Sequence, residues 1–232
     1  MTIDGFQPMT LLDWPGKVGC TVFLAGCNFR CPFCHNGPLV EGKGERPTPA
    51  LALETFRDFL RRRQGLLDGV CVSGGEPLLN PQLPQLLEAV KEQGFLVKVD
   101  TNGSFPHKLR ELWKSGLVDY VAMDIKNSPE RYGETVGVPA LDLTPFQESV
   151  AFLLQGSVDY EFRTTVVREF HDSDSFQAIG PWLSGARRYF LQCFVDRDTV
   201  LQEGLHPWDA DSLRAFADLV RPYVHQVELR GV

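Results

Sequence analysis

The sequence predicts an α/β protein built as a partial, open (β/α)6 barrel. Short apolar runs rich in β-branched residues alternate with amphipathic stretches, which is the pattern of successive strand–helix units around a parallel sheet. Strands buried on both faces should be continuously apolar. This holds for the runs Val70-Cys71-Val72 and Leu96-Val97. Six such units are too few to close an eight-stranded barrel, so we expect an open one with a short last strand at Val227–Leu229.

The element boundaries follow from these runs and from helix-capping residues. The predicted strands are Val18–Leu24, Gly69–Ser73, Phe95–Asp100, Tyr120–Ile125, Tyr160–Val167 and Arg188–Phe194. The predicted helices are Ala50–Gln64, Pro81–Gln93, His107–Ser115, Thr144–Leu154, Ser173–Leu183 and Asp209–Val220. Thr48-Pro49 and Asn80-Pro81 put proline at a first helical position, where its missing N–H costs no hydrogen bond. We expect a single domain over residues 1–232, with 1–17 as a lead-in to the first strand.

Composition narrows the classes of partner. The 232 residues are 43% hydrophobic and 23% charged, which is ordinary for a globular protein. A net charge of −7 disfavours nucleic acid and anionic membranes, because binding phosphates needs a basic surface. The compact basic run Arg61-Arg62-Arg63 falls at a predicted helix end and is interpreted as solvated. The first residues have no signal-peptide pattern and no apolar run spans a membrane, so a cytoplasmic protein is expected.

Three cysteines in the loop 25–36 carry the strongest chemical signal. Cys27, Cys31 and Cys34 are spaced C-x3-C-x2-C, and thiolates select iron–sulfur clusters, zinc or copper(I). A cubane cluster normally takes four cysteines, so three would leave one iron open to a substrate or cofactor. Zinc and unrelated thiols are the alternatives; zinc wants four converging ligands, and the only nearby candidate, His35, directly follows Cys34.

The other three cysteines, Cys20, Cys71 and Cys193, lie in apolar strand-like runs. A small thiol in such a run usually packs in the core, and a reducing compartment disfavours disulfides. We therefore expect core packing for all three.

Polar, glycine-containing clusters follow the second and third predicted strands. In Ser73-Gly74-Gly75-Glu76-Pro77, paired glycines let the backbone approach a ligand, and Glu76 offers a carboxylate to a cationic amine, although a plain turn needs no ligand. Asp100-Thr101-Asn102-Gly103 follows the next strand and also reads as an ordinary turn.

The next two strands also carry charged residues. Asp124 and Lys126 alternate and so face one side, where they form either a salt bridge or part of a site. Arg163 lies inside the fifth strand and needs a partner, either a ligand carboxylate or a structural acid. His171 precedes a helix, and a role in the capping loop is favoured over a role in the site. Because sites of α/β barrels form at the carboxyl ends of strands, these successive clusters predict one cofactor pocket.

Two stretches, Asp13-Trp14-Pro15-Gly16-Lys17 and the loop from Ala25 to Asn36, resemble the anaerobic ribonucleoside-triphosphate reductase activating proteins. The wider resemblance is to the glycyl-radical-enzyme activating enzymes of the radical SAM superfamily, including pyruvate formate-lyase activating enzyme. It covers nearly the whole chain, and the further matching stretches are Ser73 to Pro77, Asp100 to Gly103, Asp124 to Lys126 and Arg163 to Val167.

The resemblance implies a mechanism. Cys27, Cys31 and Cys34 would hold a 4Fe-4S cluster whose open iron is chelated by S-adenosylmethionine. An electron from flavodoxin or ferredoxin would cleave the sulfonium to methionine and a 5′-deoxyadenosyl radical, which takes hydrogen from a glycine of a partner enzyme. No catalytic triad and no protein general base are expected, because the chemistry is the cofactor's.

The resemblance also implies the site residues. Phe33 would offer its backbone to adenine, and Lys126 would reach the ribose or the carboxylate. The residues expected to contact S-adenosylmethionine are Phe33, His35, Asn36, Ser73, Gly74, Gly75, Glu76, Asp100, Asn102, Lys126 and Arg163. Asp100, Thr101 and Asp124 resemble positions that hold a monovalent cation near the cofactor.

Two stretches depart from the family pattern and leave the substrate surface open. Arg168-Glu169-Phe170 stands where many relatives have a Pro-Gly turn, and Gln192-Cys193-Phe194 is only loosely similar. A radical SAM enzyme acting on another glycyl radical enzyme or on a small molecule is the alternative. An electron carrier or a zinc-stabilised binding module is the non-enzymatic alternative, and it would need a fourth ligand close to the cysteine loop.

Overall fold

The computed structural model describes residues 1–41 and 50–232, and the predicted cap at Thr48-Pro49 lies outside them. Internal contacts divide the chain into two compact units. The first unit consists of Met1–Asn28, Pro38–Thr101 and Phe105–Val121. The second unit consists of Phe29–Gly37, Asn102–Ser104 and Ala122–Val232.

The first unit contains a sheet of parallel strands with an antiparallel strand beside it. Its strands are β1 (Thr2–Ile3), β2 (Gly5–Thr10), β3 (Gly19–Leu24), β4 (Leu51–Ala52), β5 (Gly69–Gly74), β6 (Leu96–Thr101) and the first residues of β7 (Tyr120–Asp124). The order is β2-β3-β5-β6-β7; β3, β5 and β6 are parallel, whereas β2 is antiparallel to β3. Short β1 and β4 pair separately.

Helices of the first unit carry one apolar face each. They are α2 (Leu53–Arg61), α3 (Leu83–Lys91), α4 (Pro106–Lys114) and the 3-10 helix Pro77–Leu79, while α1 (Gly37–Glu41) begins at the last residue of a second-unit segment. In α2 the buried residues Leu53, Phe56 and Leu60 recur at helical spacing. The strands supply fully buried β-branched residues such as Val22, which fit a sheet covered on both faces.

The second unit continues the alternation of strand and helix. Its strands are the last residues of β7, then β8 (Asp159–Val166), β9 (Arg188–Cys193) and β10 (Gln226–Arg230). They follow the order β7-β8-β9-β10, with β8, β9 and β10 parallel. Its helices are α5 (Tyr132–Thr135), α6 (Thr144–Leu154), α7 (Ser173–Trp182), α8 (Ala210–Val220) and the 3-10 helix Pro129–Arg131.

The predicted fold class, an α/β protein with the parallel sheet of a partial (β/α)6 barrel, is confirmed. All six predicted strands and the last strand are present, with ends displaced by a residue or two. The predicted lead-in contains β1 and β2, which the sequence reasoning missed. Strand β2 lacks a regular alternation of apolar and polar residues because most of it is exposed. It also contains Pro8, and proline is confined to edge strands.

Two of the three cysteines expected in the core are there. Cys20 and Cys71 are buried, whereas Cys193 is half-buried, with its sulfur 3.7 Å from the carbonyl oxygen of Trp208. Among the helices of residues 1–41 and 50–232, none combines the length and apolar character that crossing a bilayer takes.

Candidate active site

The Gly-Gly-Glu loop of the first unit is hydrogen-bonded to the start of the cysteine loop. The backbone N–H of Gly75 donates to the Leu24 carbonyl (2.9 Å), and that of Glu76 donates to the Gly26 carbonyl (2.8 Å). A Cβ at Gly75 would lie 2.1 Å from the Gly26 oxygen and 3.2 Å from the Cys27 Cβ. Glycine is therefore required for the close approach of the Gly-Gly-Glu loop to the start of the cysteine loop. This is a second reason for glycine here, besides the predicted approach of a ligand.

Glu76 is a buried carboxylate, 1% exposed, at the end of β5. Its Oε1 accepts hydrogen bonds from the backbone N–H of Leu78 (3.0 Å) and from the Thr101 hydroxyl (2.9 Å). Glu76 thereby caps the 3-10 helix that follows it and ties the ends of β5 and β6 together. The structure thus brings together two predicted site residues, while Ser73 lies half-buried on β5.

Asp100 has a partner that sequence reasoning missed. The ammonium of Lys98 forms an ion pair with Asp100 and lies 3.8 Å from the Cys71 sulfur. The Lys98 side chain is 0% exposed and that of Asp100 is 14% exposed. The signal was available, since a lysine in an otherwise apolar strand needs a counter-charge, as was argued for Arg163.

In the second unit, several backbone hydrogen bonds hold the cysteine loop. The N–H of Cys34 donates to the Cys31 carbonyl (3.0 Å), which makes a tight turn between two of the predicted ligands. The N–H of Gln202 donates to the Pro32 carbonyl (3.0 Å), and that of Gly37 donates to the Thr199 carbonyl (3.2 Å). The segment after β9 is therefore a support of the loop that no sequence motif indicated.

Aromatic side chains of the loop pack inside the second unit. Phe33 is buried against the rings of Phe170 and His171, with centroids 5.6 and 6.0 Å away. The His35 ring stacks on Phe194 (5.5 Å), and its Nε2 is 2.7 Å from the Val195 carbonyl oxygen. Burial lowers the pKa of His35, so its ring favours the neutral form.

Asp124 meets two cations at the carboxyl end of β7. Its Oδ2 is 2.9 Å from the Lys126 ammonium, and its Oδ1 is 3.0 Å from the Arg163 guanidinium. The salt bridge foreseen for Asp124 and Lys126 is therefore present. Arg163 has a structural acid as partner, which was one of its two predicted readings.

Lys126 lies in the electrostatic field of the cysteine loop. Burial alone would lower the pKa of Lys126, but Asp124, Cys31 and Cys34 outweigh it, so the pKa is raised. Burial raises the pKa of the Cys34 thiol, and the Lys126 ammonium partly offsets that rise. Lys126 is thus a fixed positive charge near two thiols.

His171 is buried in the loop after β8 and directly precedes Asp172, the residue that caps α7. Its Nε2 is 2.8 Å from the Lys126 carbonyl oxygen, and its Nδ1 accepts from the Val167 N–H (3.1 Å). Asp172 caps α7 in a reciprocal pair with Ser175. Burial lowers the pKa of His171 to about 4.

The remaining predicted residues have local roles in the structure. Asn102 is buried, and its Oδ1 accepts from the N–H and hydroxyl of Ser104 (3.0 and 2.6 Å), which closes the turn foreseen there. Gly103 supplies the positive φ of that turn, +82°. Asn36 is half-buried in the cysteine loop.

Within residues 1–41 and 50–232, no three His, Cys, Asp or Glu side chains are placed to hold a single metal ion. A cubane cluster spreads its cysteines over different irons, so the donor set of three soft thiols fits an iron–sulfur cluster better than zinc.

Comparison with known proteins agrees with this chemistry. The family model of the radical SAM superfamily matches residues 21–173. A Methanocaldococcus jannaschii protein that bears the name of a glycyl-radical enzyme activating enzyme is 30% identical, over 99% of this chain and 96% of its own. Pyruvate formate-lyase 1-activating enzyme of Escherichia coli is 28% identical, over 74% of this chain and 70% of its own.

Solved structures support the fold. SuiB of Streptococcus suis bound to S-adenosylmethionine matches with a TM-score of 0.67 and 13% identity, over 90% of this chain, which spans only 51% of SuiB. The cofactors of the matched superfamily are a 4Fe-4S cluster and S-adenosylmethionine. The chain therefore belongs to the radical SAM superfamily and, within it, to the glycyl-radical enzyme activating enzymes.

Proposed function

We propose that this chain installs a glycyl radical on an anaerobic ribonucleotide reductase, with Cys27, Cys31 and Cys34 as the ligands of its 4Fe-4S cluster. When bound, the reduced cluster supplies the electron that cleaves S-adenosylmethionine to methionine and a 5′-deoxyadenosyl radical, which takes hydrogen from the partner's glycine. The chain's own residues hold, orient and shield these groups.

One observation carries the proposal: the Gly-Gly-Glu loop is fastened to the cysteine loop beside Cys27. The hydrogen bond from the Glu76 N–H to the Gly26 carbonyl and the contact that excludes a Cβ at Gly75 fix the backbone of Glu76, whose side chain is buried, beside the residue that precedes Cys27. A carboxylate near a soft-metal loop suits a ligand with both a cationic amine and a sulfonium.

Residues of the second unit supply a positive charge and packed aromatic side chains that exclude water. Lys126, paired with Asp124 and close to Cys31 and Cys34, offsets the negative charge of thiolate ligands and can donate to a ligand carboxylate or ribose. Phe33 and His35 are packed against other rings, so the loop keeps its shape and water is excluded on that side.

The choice of reductase as partner rests on the Asp13-Trp14-Pro15-Gly16-Lys17 segment. Trp14 is buried against Tyr120, with ring centroids 5.7 Å apart, and the Asp13 carboxylate accepts from the Thr21 hydroxyl. The segment is thus a packed part of the first unit. It supports the assignment to the reductase-activating branch through resemblance, without itself being a partner contact.

Three accompanying proposals complete the assignment. Flavodoxin or ferredoxin is the electron donor. The enzyme works in the cytoplasm, where thiols stay reduced and cluster ligands remain available. Residues 1–232 act as one domain.

The test is anaerobic reconstitution with iron and sulfide, followed by reduction and addition of S-adenosylmethionine and purified anaerobic ribonucleotide reductase. We expect 5′-deoxyadenosine by chromatography and a glycyl doublet by electron paramagnetic resonance. Cys34→Ala should lose both signals, because without all three thiolate ligands the cluster is not held. Cys193→Ala, which removes a half-buried thiol outside the loop, is the matched control and should retain both signals.

Two results separate the parts of the proposal. A doublet on pyruvate formate-lyase but not on the reductase would contradict the choice of partner and leave the radical chemistry intact. Absence of 5′-deoxyadenosine from a fully reconstituted protein would contradict the cofactor chemistry itself.

A further inference from the structure

Lys98 is a buried charge that the proposed mechanism does not use. It lies on β6 two residues before Asp100, so both side chains project from the same face of the strand. Its register partner on β5 is Cys71, whose sulfur is 3.8 Å from the ammonium. The lysine is 0% exposed, which leaves bulk water no part in balancing its charge.

A buried ammonium is tolerated only with a counter-charge, and here the Asp100 carboxylate supplies it. A bound monovalent cation would need that same carboxylate as an oxygen ligand, and it would lie next to the ammonium. Like charges repel strongly where water is largely excluded. The Asp100 carboxylate is therefore poorly suited to bind a monovalent cation.

We infer that the Lys98 ammonium is a built-in replacement for a monovalent cation at Asp100, so that this chain cleaves S-adenosylmethionine without binding Na⁺ or K⁺ there. The lysine neutralises the carboxylate permanently and fixes its orientation. The inference rests on the proposed function only in taking Asp100 to lie at the cofactor site. It requires no particular partner enzyme.

The experiment compares Na⁺ or K⁺ with tetramethylammonium at equal ionic strength. For the wild type, both the melting temperature of the cluster-free protein and the rate of 5′-deoxyadenosine formation should be unchanged on exchange. In cluster-free Lys98→Met the carboxylate loses its ammonium, so Na⁺ or K⁺ should raise the melting temperature by about 4 °C over tetramethylammonium.

Two further variants act as controls. Lys91→Met removes another lysine paired with an aspartate, Asp119 at 2.8 Å, and should show no cation response. The double variant Lys98→Met/Asp100→Asn removes both charges, so it should fold if the single variant does not, and it should also show no cation response.

A wild-type protein whose cleavage rate falls about fivefold or more in tetramethylammonium would overturn the inference. So would a folded Lys98→Met protein whose melting temperature ignores Na⁺ and K⁺. Because the melting temperatures need neither the cluster nor a partner, they distinguish failure of this inference from failure of the proposed function.

Discussion

The carboxyl ends of β6 and β7 carry the same pair of charges in two different settings. Asp100 pairs with Lys98, two residues earlier and inside the strand, whereas Asp124 pairs with Lys126, two residues later and past the strand end. The lysine side chains are 0% and 19% exposed, respectively. The i, i+2 spacing makes either pair possible, but burial decides whether the ammonium can also meet a ligand.

We propose that this difference separates an ion pair that serves the fold from one that also serves a ligand. A pair with a fully buried ammonium loses much of its stabilising contribution to desolvation, yet it is costly to break because a buried charge then loses its counter-charge. A half-buried pair gains less from its partner and leaves the ammonium accessible. We therefore expect substitution of Lys98 to reduce mainly stability, and substitution of Lys126 to reduce mainly activity.

The largest expected effect is on the stability of Lys98→Met. Removing the ammonium deprives the Asp100 carboxylate of the buried counter-charge that it contacts in the wild type, which should lower the free energy of unfolding by about 3–5 kcal/mol. Urea denaturation of the cluster-free protein measures this. The double variant Lys98→Met/Asp100→Asn should recover most of the loss, and a single variant as stable as the wild type would remove the distinction between the two pairs.

Lys126→Met should instead reduce the rate of 5′-deoxyadenosine formation by about 10²-fold, because one charged contact to the ligand is lost. Its free energy of unfolding should fall by less than about 1 kcal/mol, since Arg163 still meets Asp124 and the site is partly solvated. Lys91→Met, a half-buried lysine outside the site, is the control. Equal rates for Lys126→Met and wild type would argue against any ligand contact by this ammonium.

Much of the fold followed from local sequence patterns, because parallel strands buried on both faces are recognisably apolar. The prediction that Pro81 is a first helical residue is wrong, because α3 begins at Leu83 with Gln82 as its N-cap. The prediction that the polar motifs form one site comes from the rule that polar residues at strand ends share one edge of a sheet, and it stays a prediction. The ion pair of Lys98 could have been predicted by the argument that applies to Arg163, because each is a cation in an otherwise apolar strand and needs a counter-charge.

Contacts that depend on the backbone or join distant parts of the chain could not be predicted from residue types. The supports of the cysteine loop are backbone hydrogen bonds to the segment after β9, such as the one from Gln202 to Pro32, and a backbone N–H is common to nearly all residues. The contact between His35 and the Val195 carbonyl joins residues 160 positions apart. The need for glycine at Gly75 arises from Gly26, which only the three-dimensional structure places beside it.

The smallest expected effect is a loss of stability in acid, caused by His171, whose ring contacts the Lys126 carbonyl. His171 is neutral because burial lowers its pKa to about 4, whereas an unfolded histidine titrates near 6.5. Between these values the unfolded chain binds more protons, so stability falls as the pH drops from about 6.5 to 4. The expected loss between pH 7.5 and pH 5 is about 2 kcal/mol.

His171→Gln should remove that part of the acid sensitivity, as measured by urea denaturation at both pH values. Arg131 lowers the pKa of His171 and Asp172 raises it, so burial remains the main cause of the lowered pKa. Some sensitivity should persist because the pKa of His35 is also lowered. The exposed His225→Gln is the control and should keep the wild-type slope. An unchanged slope in His171→Gln would mean that the folded and unfolded chains bind the same number of protons at this ring, which would contradict the lowered pKa.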